Sequence, residues 1–217
     1  MRTLILVFGL IILGFGSVSQ AQEVAVYRAT FTNLTKGQWM TPPAILVHDS
    51  TFKLFTLGEE ATEGLKVLAK DGANQLLEFE VSSATNVFNF ISGTEVIFDK
   101  GASVELFFWG VTNTLLSTAS MLGTTNDGFF AGRGLSLDLQ PGEQREYFLN
   151  VYDAGAEDNN ESCAFISGPP CNNHNVDTPG NEGFVHDHPG LTFTGDLDPV
   201  THAFASTVAK LTLLRIQ

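Results

Sequence analysis

The sequence predicts an all-β fold, an antiparallel β-sandwich with one short helix and a long loop stabilised by a disulfide and a metal. Three observations lead there. Short β-rich runs recur between turn residues, which favours stacked antiparallel sheets over βαβ units. One stretch alone carries apolar residues at helical spacing. From about residue 153 to 199, Asn, Asp, Gly, Pro and His displace the apolar residues, and so long a loop in a compact domain needs something other than a core to hold it.

The runs are Val24 to Asn33, Leu76 to Val81, Glu95 to Asp99, Ser103 to Trp109, Arg145 to Tyr152 and Thr207 to Ile216. In the first, Ala25, Tyr27, Ala29 and Phe31 fall on one face and Arg28 and Thr30 on the other. Asp99-Lys100-Gly101 and Gln140-Pro141-Gly142-Glu143 read as turns that feed strands. Glu59 to Lys70 places Ala61, Leu65, Leu68 and Ala69 on one helical face, with Glu at its start, Lys near its end and Gly72 just beyond. The 18 Phe supply core area, and aromatic stripes of this kind are more often packing than a ligand box.

The amino terminus predicts export. Arg2, the apolar run Leu4 to Gly14, and small residues at Ser19 and Ala21 follow the order of a signal peptide spanning residues 1–21. That leaves residues 22–217 as one domain, with room for a full core. The apolar run is shorter than the roughly 20 residues a membrane span needs, and no later segment reaches that length. A formal charge of −13 argues against nucleic acid or an anionic membrane surface as partner. The two cysteines, Cys163 and Cys171, bracket a Gly-Pro-Pro return and are expected to pair under oxidising conditions.

Two acidic turns are candidates for a hard cation. They are Thr124-Thr125-Asn126-Asp127-Gly128-Phe129, and Tyr152-Asp153-Ala154-Gly155-Ala156-Glu157-Asp158 directly after a strand. Calcium takes six to eight oxygens, and carboxylates at Asp153 and Glu157 can turn back on one ion around Gly155. Asp in turns also caps backbone amides, and neither turn follows the EF-hand pattern. A rival site lies at His186 and His188, which share a face if the segment is a strand, with His174, His202, Asp187 and Asp196 as further donors. Imidazoles and a carboxylate suit zinc or copper. A metal-dependent extracellular enzyme using His186 and His188 is therefore the alternative function. Nucleophilic catalysis finds no Gly-x-Ser-x-Gly elbow, and no phosphate loop is present.

Taken in order, Tyr27-Arg28-Ala29-Thr30-Phe31-Thr32-Asn33-Leu34-Thr35, Glu63-Gly64-Leu65, Ser120-Met121-Leu122-Gly123-Thr124-Thr125-Asn126-Asp127-Gly128-Phe129 and Tyr152-Asp153-Ala154-Gly155-Ala156-Glu157 resemble the bacterial spondin-type domain. Gly183-Phe184-Val185-His186-Asp187-His188-Pro189-Gly190 extends the resemblance, which covers nearly all of residues 22–217. It implies a β-sandwich with one bound calcium. By motif, the ion's carboxylates fall at Asp127, Asp153 and Glu157. Asn126 stands where the animal domains have Pro, and Glu157 where they have Asp. The expected function is that of a secreted, calcium-holding binding or matrix module, not an enzyme. Its partner would be an extracellular protein or glycan.

Overall fold

The computed structural model describes residues 23–217 apart from residue 175; the predicted signal peptide lies outside the described residues. Nine strands form one antiparallel sheet: β1 (Val24–Asn33), β2 (Ala44–His48), β3 (Val87–Ser92), β4 (Ser103–Val111), β5 (Leu115–Met121), β6 (Gly128–Ser136), β7 (Gln144–Asp153), β8 (His186–Asp187) and β9 (Thr207–Arg215). Their order is β3-β2-β5-β6-β7-β9-β1-β4, with β8 pairing β7. The sheet folds over until its two ends approach, and Asn89 of β3 donates to the Trp109 carbonyl of β4 at 2.9 Å. The result is the predicted all-β, sandwich-like fold, nearly closed.

One core lies inside this fold. Tyr27, Phe31, Leu211 and Leu213 from one half meet Ile45, Val47, Leu116 and Phe130 from the other. Alternation places them there: β1 is buried at every second residue, as its sequence predicts. A second core covers the outer face of β2, β5, β6 and β7. There α1 (Glu63–Asp71) and α2 (Gln75–Val81) lay Leu65, Leu68 and Leu77 on Leu46, Ala119, Phe129 and Tyr152. Both faces of β2 are therefore buried, and Ala44 to Val47 is an unbroken apolar run, not an alternating one.

The predicted helix is present but begins later, because the Thr62 hydroxyl caps it by accepting from the Leu65 amide at 3.3 Å. Gly72, at φ 69°, ends it as expected. Leu76 to Val81, predicted as a strand, is instead the second helix α2. Leu77 and Val81 are its buried residues, one turn apart, while Leu76 and Phe79 face solvent. Alternation in Leu-Glu-Phe-Glu-Val fits either period, and packing on α1 selects the helical one. A single turn, α3 (Pro199–His202), precedes β9. Glu95 to Asp99 is no full strand; Ile97 forms an isolated bridge with Met40.

From Ala154 to Leu197 the described chain has little regular structure, as its composition predicts. Charged side chains bonded to backbone amides hold it. Glu161 accepts from Thr192 and, at 2.7 Å, from the Phe193 amide, while Asp196 accepts from the Cys163 amide at 2.8 Å. Cys163 and Cys171 are disulfide-bonded as predicted. The closed loop sits on the turn after β5: the Gly168 amide donates to the Gly123 carbonyl at 2.7 Å, and Thr124 donates to the Pro169 carbonyl at 3.0 Å.

Candidate metal centre

The sheet itself brings two carboxylates together. Asp127 immediately precedes β6, Asp153 ends β7, and the register pairs Gly128 with Asp153. The Ala154 amide donates to the Asp127 carbonyl at 3.2 Å, so the two acids lie side by side at one end of the sheet. Both are fully buried.

The chain after Asp153 then curls around Asp127. The Gly155 amide donates to Asp153 Oδ1 at 2.7 Å, forming the turn. Gly155 has φ 65°, and a Cβ there would lie 2.2 Å from the Phe184 carbonyl oxygen, so no other residue fits. This turn aims the Ala156 and Glu157 amides at Asp127 Oδ2, at 2.6 and 3.1 Å. Asp127 Oδ1 is buried and has no partner among the described residues.

Glu157 contributes its amide to this arrangement, but its carboxylate points elsewhere. Oε1 accepts from the Thr178 amide at 2.7 Å, and the charges acting on it are those of Asp177, Lys70 and Asp71. Asp127 and Asp153 are thus brought together as the motif implies, and the Glu157 carboxylate is turned toward the loop.

The short strand β8 lies on the other side of Asp153, with His186 directly opposite it in register. His186 Nε2 is 3.5 Å from Asp153 Oδ1. Glu182 joins them: its carboxylate, His186 and Asp153 place one ligand atom each within 4.8 Å of one another. Asn159 donates to both Asp153 Oδ2 and Glu182 Oε1 and spaces the two carboxylates. Glu182 Oε2 is buried without a partner among the described residues.

The electrostatics follow from this crowding. Burial, and then the neighbouring Asp153, push the Asp127 carboxyl up to about 8, against the opposing pull of the two amides. Burial and then Asp153 also raise Glu182, and burial raises Glu157 to about 7. His188 is driven down to about 4, chiefly by burial. Such a cluster of acids is stabilised by a cation that keeps them ionised.

The Spondin_N family model matches residues 27–172. The chain belongs to that family. Its spondin portion contains Asp127, Asp153, Glu157 and both cysteines, whereas Glu182, His186 and His188 lie beyond the matched residues. A comparison with curated proteins gives no significant match.

Of the three motif residues, Asp127 and Asp153 have donor chemistry compatible with a calcium ion, while the Glu157 carboxylate lies on the Thr178 amide. Asp127 offers an orphaned, fully buried oxygen beside a second buried carboxylate, which is the donor chemistry calcium takes. The rival pair of histidines divides. His186 faces the acids, while His188 is buried against Phe204, and its Nδ1 accepts from the Gly190 amide at 3.0 Å. His174 and His202 do not join the cluster; the His202 ring bonds the Asp198 carbonyl. Glu182 carried no signal in the sequence, since only folding brings it to Asp153.

Proposed function

We propose that this spondin-family chain is an exported, calcium-holding binding domain and not an enzyme. The observation that carries the reading is the orphaned Asp127 Oδ1, fully buried beside Asp153. Two buried carboxylates without a cation repel each other, and burial beside Asp153 raises the Asp127 carboxyl; calcium would reverse both effects. Asp127 and Asp153 would hold the ion. The Glu157 carboxylate would have to turn from Thr178 to join them. The disulfide supports an oxidising compartment, and among the described residues no helix is long and apolar enough to cross a membrane. The partner would be an extracellular protein or glycan recognised through a calcium-ordered surface.

Thermal melting in excess calcium and in chelator tests the reading. A ligand that binds only the folded state raises the melting temperature by mass action. Asp153→Ala should lose most of that shift. Coincident melting curves in calcium and chelator would count against the proposal. A pull-down from the native extracellular fraction, with and without chelator, would then identify the partner.

A further inference from the structure

We propose that Asp153, Glu182 and His186 form a second divalent-ion site, of zinc type, beside the calcium position. The inference does not require the calcium reading; the two share only Asp153.

The tautomer of His186 is the first argument. Its Nδ1 lies 3.0 Å from the Asp187 carbonyl oxygen, which can only accept, so Nδ1 carries the proton. Nε2 is then the ring atom that faces Asp153 Oδ1, 3.5 Å away, where either a proton or a metal ion between the two atoms satisfies both. Two donors on a tetrahedral zinc, each at roughly 2.0–2.2 Å, sit about 3.4 Å apart, which matches this separation. The Asp187 carbonyl then acts as the outer partner that orients a metal-binding imidazole.

An unsatisfied buried acceptor is the second argument: Glu182 Oε2 is buried without a partner among the described residues. His188 is only 8% exposed, and the charged groups acting on it are Asp153, His186 and Glu161. Because its Nδ1 accepts from Gly190, its Nε2 carries hydrogen. It is therefore a donor beside the cluster and not a ligand. Asn159, which bonds both carboxylates, fixes their spacing from outside.

The donor set selects the class of metal. Calcium prefers oxygen alone, while one imidazole and two carboxylates suit zinc, with a water completing the shell. The His186 side chain is 26% exposed, so the remaining position opens toward solvent. Glu182 and His186 both lie outside residues 27–172, so this chemistry is added to the matched spondin portion and not contained in it.

Calorimetric titration of the chelator-stripped full chain with zinc chloride, calcium being kept in excess, tests the inference. One zinc per chain is expected, with a micromolar or tighter Kd. Glu182→Gln and His186→Ala should each weaken it on the order of tenfold or more. Both variants should keep the calcium-dependent melting shift, which shows that they fold. Asp127→Ala should lose the calcium shift yet still bind zinc, so failure of either reading is seen separately. Cobalt should give tetrahedral absorption bands that vanish in His186→Ala. No zinc binding, unchanged binding in His186→Ala, or stoichiometric displacement of zinc by calcium would each overturn the proposal.

Discussion

At Asp127 one carboxylate oxygen takes two backbone amides and the other takes nothing. Removing its charge should separate the cost of burial from the gain of metal. In Asp127→Asn the side-chain carbonyl keeps the two amides, and the new NH₂ group can donate toward Asp153. In chelator at pH 8 the variant is expected to melt above the wild type, by on the order of 1–3 kcal/mol of added stability. In calcium the order should reverse, because the variant no longer responds. Asp127 and Asp153 were legible in the sequence because turn chemistry and the family motif both mark them. A different residue carries a pH dependence. His48 is buried with Nδ1 2.7 Å from the Asp49 carbonyl and Nε2 2.8 Å from Ser117 Oγ, and burial holds it below its ordinary value despite nearby Asp49. With the folded value depressed, the unfolded chain takes up the proton first as pH falls through about 6.5, so stability declines there. Chemical denaturation of wild type and His48→Gln should show the wild-type advantage shrinking between pH 8 and pH 5. An advantage independent of pH would contradict this.

Among the elements, those readable in the sequence are the ones with one face inward. β1, β4, β7 and β9 alternate, and each was predicted to within a few residues. β2 does not alternate because helices cover its outer face. β5 is buried yet contains Ser117, Thr118 and Ser120, whose hydroxyls find their short hydrogen bonds in tertiary partners such as the Ala44 and Thr41 carbonyls at 2.6 Å. β6 carries Gly128, Gly132 and Gly134, residues that local propensity assigns to turns. The helical pair gives a prediction that opposes propensity. A Cβ on Gly64 would lie 2.6 Å from Leu77 Cα and 2.7 Å from its nitrogen, so Gly64 lets α1 and α2 touch. Gly→Ala in a helix normally gains about 1 kcal/mol. Here overpacking should dominate, and Gly64→Ala is expected to lose roughly 1–3 kcal/mol in urea unfolding. An unchanged or higher midpoint would show that the helices separate freely. The disulfide loop should contribute about 2–3 kcal/mol, measured as the midpoint loss in the Cys163→Ser, Cys171→Ser double variant.

On the scale of the whole molecule, two kinds of stabilisation divide the chain. The sheet is held by two apolar cores. The stretch from Ala154 to Leu197 depends on carboxylates that clamp amides: Glu157 on Thr178, Glu161 on Thr192 and Phe193, Asp196 on Cys163. Its beginning is wrapped around Asp127, and its far side reaches Asp153 through β8, a strand of two residues. The proposed metal centre is therefore one point where this stretch is fastened to the sheet, the turn after β5 being another. Composition revealed that such a segment exists, but which acid clamps which amide was invisible, because each bond spans twenty or more residues of irregular chain. Removing the ion should loosen the fastening without melting the sheet, since local opening follows local contacts. Limited proteolysis in chelator is expected to cut between residues 172 and 198 while fragments from the sheet persist, and calcium should protect the same bonds. Hydrogen exchange should agree, with faster exchange at the Ala156, Glu157 and Thr178 amides and little change in β1 and β9. Equal cleavage in both conditions, or simultaneous loss of sheet protection, would mean that the ion either does not hold this stretch or holds the whole fold.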